Sequence, residues 1–165
     1  MENRRILRRL PSSLKILITV FVLSLAVGYS ISLLQVFNRT GVQPAQTVRH
    51  YRGADSQEGA LFLPQSYGTL LSVSHVHSFS QPVVLGLLCL LFALTGSSER
   101  AKIIWILVSF FGSFTSLAGP WLVRYLASGT VYLLYVGGTA MFVSFAVMFV
   151  GILREVWSSP GGTDV

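Results

Sequence analysis

The sequence predicts an all-α membrane protein: an antiparallel, up-down-up-down bundle of four transmembrane helices with a short helix in its outer loop. Three observations lead there. Of 165 residues, 52% are hydrophobic and 11% are charged, against roughly 25% charged in a soluble domain. Four runs carry no charged residue, Ile16 to Asn38, Gly59 to Ser98, Ile103 to Val123 and Tyr125 to Leu153. Each is long enough for the roughly 20 residues that cross a bilayer, and each must be helical, because lipid offers nothing to satisfy an open strand edge. The third observation is loop length. One long and two short connections make sequential spans antiparallel neighbours.

The net charge of +6 does not point to nucleic acid, because the basic residues sort by membrane side and form no aromatic-flanked patch on a soluble surface. With the N-terminus inside, the inner face holds Arg4, Arg5, Arg8, Arg9, Lys15, Arg100, Lys102 and Arg154. The outer face then holds only Arg39, Arg49, Arg52 and Arg124. The positive-inside rule therefore predicts a multi-pass membrane protein with both termini cytoplasmic.

In order, residues 1–13 form a basic flank suited to anionic head groups. The first span follows at about 14–37, too long for the apolar stretch of a cleaved signal peptide. Ser24, Gly28 and Ser32 lie four apart on it, a row that admits a close helix neighbour. In the outer loop, Pro44 opens a short helix, PAQTVRHYR, and Gly53 is expected to end it in the usual left-handed cap. Ala45, Val48 and Tyr51 share a face, which predicts a helix lying on the membrane surface. ADSQEG is a polar turn. The second span, about 70–95, contains Pro82. If the helix began at Gln81, about 14 residues would remain to cross, too few, so a long helix kinked at Pro82 is expected.

The turn TGSSERAK supplies Ser97 or Ser98 as a cap and Glu99 to complement the next helix. Spans at about 101–126 and 131–156 complete a membrane domain of residues 14–156. Gly112, Ser113, Ser116 and Gly119 on the third span, and Gly137, Ala140 and Ser144 on the fourth, form further close-packing rows. The tail, 157–165, gives no reason to be ordered. Cys89, the sole cysteine, reads as a small buried apolar residue.

His50, His75 and His77 are the only histidines, and this topology gathers them on the outer side, with His77 just inside the hydrocarbon boundary. An ionisable group at that depth is by default a functional candidate. Three imidazoles admit a copper or zinc ion, and two admit a b-type haem. On a helix, residues two apart point about 200° from each other, so one of His75 and His77 faces the bundle, to be met by His50 from the loop helix. Arg52 and Arg124, at the same level, are candidates to receive propionates, anionic quinone or lipid groups. The bland alternative is that these are ordinary interfacial residues. None of the six acidic residues falls within a span, which counts against ion-coupled transport. No protease-type constellation, phosphate loop or HExxH motif is present, so enzymatic activity of the chain alone is not expected.

At TVRHYRG, SHVH and TGSSERAK the chain resembles a little-characterised group of small bacterial four-helix inner-membrane proteins, with a periplasmic HYRG element and an HxH at the start of helix two. The resemblance implies that His50, Tyr51, Arg52, Gly53, His75 and His77 form a shared outer element. The functional expectation is an accessory or small redox subunit of a respiratory or metal-handling complex, with a periplasm-side histidine site for haem b or a metal ion. The alternative is a structural or assembly subunit with no cofactor, held to other membrane subunits by its small-residue rows.

Overall fold

A computed structural model describes residues 6–54 and 63–158. Four long helices, α1 (Ser12–Thr40), α3 (Tyr67–Ala93), α4 (Glu99–Trp121) and α5 (Val131–Trp157), are joined by a nine-residue outer helix, α2 (Pro44–Arg52). Each long helix has the length and apolarity to cross a membrane, so the chain is a multi-pass, all-α membrane bundle. The start of the basic flank (residues 1–5), most of the ADSQEG turn with the residues after it (55–62) and the tail (159–165) lie outside the described residues.

Local chemistry sets the ends. Gly41, at φ +56°, closes α1 by donating its N–H to the Phe37 carbonyl at 2.7 Å. Ser66 Oγ caps α3 by accepting from the Thr69 N–H, and Ser98 Oγ caps α4 by accepting from the Ala101 N–H. Gly53 ends α2 at φ 80° but ψ 177°, a positive φ outside the left-handed helical basin. Helix α3 runs unbroken through Pro82. Helix α4 does not reach its predicted end as an α-helix. Pro120 supplies no N–H, and the chain from Leu122 to Leu126 widens into a π-helical turn in which Ala127 N–H meets the Leu122 carbonyl at 3.1 Å.

Helices α4 and α5 make the closest pair. A Cβ on Gly112 would come within 2.6 Å of Met141 Cβ, one on Gly119 within 2.6 Å of Leu134 Cδ1, and one on Gly137 would overlap Thr115. In a membrane, where burial of apolar surface does not drive helices together, such close approach is a main source of association. Two of the predicted small-residue rows are therefore in use.

The row on α1 is not. Ser24, Gly28 and Ser32 face outward, nothing approaches Gly28, and both hydroxyls return to carbonyls of their own helix. Helix α1 instead sets a different face against α5, with Tyr29 stacked on Phe145 at 4.8 Å between centroids. Val22 is its only fully buried apolar residue.

The apolar core occupies the inner half, where Val22, Leu88, Phe92, Met148 and Ile152 pack together with Cys89 among them. The basic flank contributes as well. A 3-10 turn, Leu7–Arg9, buries Leu7 completely and sets Arg8 Nε 3.2 Å from Glu155 Oε1. Beside it, Trp157 donates its indole N–H to Thr19 Oγ1 at 3.0 Å. The outer half buries fewer apolar side chains, Leu70, Val123 and Val131 among them, and holds a cavity beneath α2.

Candidate functional site

Helix α2 sits over the outer ends of the long helices. Thr47 anchors it: its side chain is buried, with Oγ1 2.9 Å from Tyr135 Oη on α5. Of the face predicted to lie on the membrane, Ala45 is exposed, while Tyr51 lines the cavity below α2. A hydroxyl-to-hydroxyl contact carries no signature in hydropathy, so the sequence does not announce this anchor.

The C-terminus of α2 is clasped to the rest of the outer end. Arg52 Nη1 donates to the Val123 carbonyl at 3.1 Å, Arg124 Nε donates to the Gln65 carbonyl at 3.1 Å, and the Gln65 N–H donates to the Tyr51 carbonyl at 3.1 Å. Arg124 also lies over the Tyr125 ring at 5.2 Å. These bonds engage both guanidinium groups with backbone, and neither residue lines the cavity below α2.

That cavity, about 60 Å³, lies between α1, α2, α3 and α4. His50 comes to it from α2 and His77 from α3, with Tyr51, Gln65 and Ser116 also on its walls. It also takes Arg39, from the end of α1, which sequence reasoning counted among the outer charges but not as a site residue. His75 is elsewhere. Its ring meets Phe79 edge-on at 5.4 Å, so the two histidines of HVH diverge as their helical spacing requires. Among the described residues no three His, Cys, Asp or Glu side chains gather closely enough to hold a metal ion together.

Electrostatics at the cavity have one dominant sign. Burial, and then the nearby Arg39 charge, hold the His50 pKa below its ordinary value, which favours the neutral ring. Burial raises the Tyr51 pKa against an opposing pull from Arg39, so its hydroxyl keeps its proton. His50 and Tyr51 rings pack edge-on at 4.9 Å.

From the cavity floor a polar seam runs inward between α3 and α4. Ser113 Oγ donates to Gln81 Oε1 at 2.9 Å, Gln81 Nε2 donates to Ser116 Oγ at 3.3 Å, and Trp121 donates its indole N–H to Ser74 Oγ at 2.7 Å. Gln81, the residue before Pro82, is the group that sequence reasoning passed over. An amide inside an apolar run was its signal, since such a group needs a partner helix.

No curated protein and no solved structure matches the chain. A family described as a transmembrane helical domain matches residues 41–163. That stretch begins at Gly41, the residue that closes α1, and contains α2 to α5 with His50, Tyr51, Gln65 and His77. It leaves α1 and Arg39 outside. Covering about three quarters of its length, this match shows that the chain belongs to that family of transmembrane helical domains.

Proposed function

We propose that the protein is a non-catalytic accessory subunit of a bacterial inner-membrane complex, with both termini cytoplasmic and a small-ligand site at its periplasmic end. The observation that carries the reading is that His50 and His77, from separate elements, line one cavity at the outer end of the bundle. The surplus of arginine and lysine at the opposite end supports the orientation. On this reading the His50-Tyr51-Arg52-Gly53 stretch is a shared outer element of the family, in which His50 and Tyr51 meet the ligand and Arg52 fixes the helix that carries them.

The cofactors admitted by the sequence differ in fit. Two imidazoles are fewer than the three or four protein ligands of ordinary zinc sites, and the Arg39 charge opposes a divalent cation between them. A cavity of about 60 Å³ has room for a few waters but not for a haem macrocycle unless α2 lifts away. The geometry therefore favours a small, exchangeable ligand over a resident cofactor.

The test is the full-length protein purified in a mild detergent. The expected result is no Soret band, no stoichiometric copper or zinc, and other membrane subunits co-purifying. A Soret band, or a bound metal lost in His77→Ala, would replace the exchangeable ligand with a cofactor. Purification as a solitary chain that binds nothing would overturn the proposal. A second reading, a purely structural subunit, is favoured by the outward Ser24, Gly28 and Ser32 face of α1, and it expects His50→Ala and His77→Ala to leave assembly and binding untouched.

A further inference from the structure

The cavity has apolar walls, Leu70, Val73, Leu117 and Pro120 among them, into which Arg39, His50, Tyr51 and His77 bring hydrogen-bond donors. No carboxylate is among the described lining residues. Of the described acidic side chains, Glu99 starts α4 at the inner end and Glu155 pairs with Arg8, also at the inner end. Asp55 and Glu58 lie outside the described residues. Arg39 is the permanent charge among the lining residues, and burial and that charge disfavour a proton on His50. A hollow with one permanent positive charge and donors beside it suits oxygen atoms that bear negative charge, because charge-assisted hydrogen bonds to an oxyanion are roughly twice as strong as neutral ones.

Depth narrows the ligand further. Ser116 lies about 25 Å along α4 from its inner end, and Arg39 about 40 Å along α1, at 1.5 Å per residue. With a hydrocarbon core of about 30 Å, the cavity reaches from head-group level at Arg39 to just beneath it at Ser116 and His77. The small volume admits one tetrahedral or planar anionic group and leaves anything attached to that group outside.

We infer that this cavity seats the phosphate oxyanion of a phosphate ester, with Arg39 as the charged anchor and His50, Tyr51 and His77 as the surrounding donors. Anionic phospholipid is the source nearest in depth, and a soluble phosphate ester is the other. The inference rests on the proposed ligand site and specifies what occupies it.

The experiment is a titration of the delipidated, full-length protein in a neutral maltoside detergent, read by native mass spectrometry and calorimetry. The probes are short-chain phosphatidylglycerol, diacylglycerol of the same chain length, glycerol phosphate and zinc. Saturable 1:1 binding of the phosphatidylglycerol, absent with the diacylglycerol, is expected. Arg39→Gln weakens it about tenfold or more, Arg39→Lys weakens it less, and His77→Gln weakens it a few-fold. Glycerol phosphate binding as tightly as the lipid would keep the oxyanion and assign it to a soluble ester. Equal binding of diacylglycerol, or an Arg39→Gln protein that binds like the wild type, would overturn the inference. Zinc binding lost in His77→Ala, with no phosphate probe bound, would overturn the oxyanion while leaving the ligand site standing. Failure of every probe on folded protein would remove both.

Discussion

Arg52 and Val123 lie 71 positions apart and are joined by a single hydrogen bond, guanidinium to carbonyl at 3.1 Å. The carbonyl is available because α4 has left its regular pattern at the π-turn after Pro120. A backbone defect on one helix thus receives the arginine that fixes another. Arg52→Gln is expected to lower stability by about 1 kcal/mol, in the range for a bond to a charged donor on a partly exposed group. It should also weaken ligand binding, because α2 carries His50. Thermal unfolding in detergent, paired with the phosphatidylglycerol titration, checks both.

The glycines of α1 and α5 should behave oppositely. Gly137→Ala places a methyl group into Thr115, and overpacking of this kind costs about 1–3 kcal/mol. Gly28→Ala meets open space and should leave the monomer within about 0.5 kcal/mol of wild type, as surface substitutions do. Unfolding midpoints of the two variants decide the matter. A Gly28→Ala protein that unfolds normally but loses a co-purifying partner would identify the α1 row as an intermolecular contact.

At the inner end, Arg8 and Glu155 are 21% and 11% exposed along their side chains, and the Nε–H is not aligned for a hydrogen bond, so the attraction is electrostatic. Removing either partner strands a largely buried charge. Each of Arg8→Ala and Glu155→Ala should therefore cost about 1–3 kcal/mol, less than the 3–5 of a fully buried pair. The double variant should cost less than the two singles together. A double-mutant cycle on unfolding free energy gives the coupling directly, and strict additivity would show that the two charges do not interact.

The depressed pKa of His50 makes the outer end sensitive to acid. Because the folded-state value lies below the roughly 6.5 of an unfolded histidine, the stability carried by the neutral ring is complete above that pH. It fades as the pH falls toward and through the folded value. Unfolding measured from pH 7.5 down to 5 should show the wild type losing more stability than His50→Gln. Arg39→Gln, which removes the second cause of the shift, should be less acid-sensitive than the wild type. Parallel curves for wild type and His50→Gln would rule out this histidine as the source.

The four spans and the loop helix were legible because hydropathy, a proline and a glycine are local signals. Pro44 and Gly53 bracket α2 at the expected positions, though Gly53 does not take the expected left-handed cap, and Ser98 caps α4 as expected. The limits of the reading appear wherever two segments distant in sequence must meet. The divergence of His75 and His77 follows from helical geometry alone, but the anchoring of α2 through Thr47 and Tyr135 does not. Nor does the diversion of Arg52 and Arg124 to carbonyls, since no residue pattern announces which backbone groups a π-turn will release. Arg39 escaped notice as a site residue because, in sequence, it is simply the charge that ends a span. Only the docking of α2 brings it against His50.

The boundary at Gly41 separates α1 from the matched family domain, yet one side of α1 is gripped along its length, by the Trp157–Thr19 bond inside, by Val22 and Tyr29 against the core, and by the α2 junction outside. Such a helix acts as a strut whose opposite side is interchangeable. Leucine at its outward positions should still deliver Arg39 to its place, whereas shortening it by one turn would draw that guanidinium about 5 Å toward the bilayer centre and uncouple the cavity from its charge.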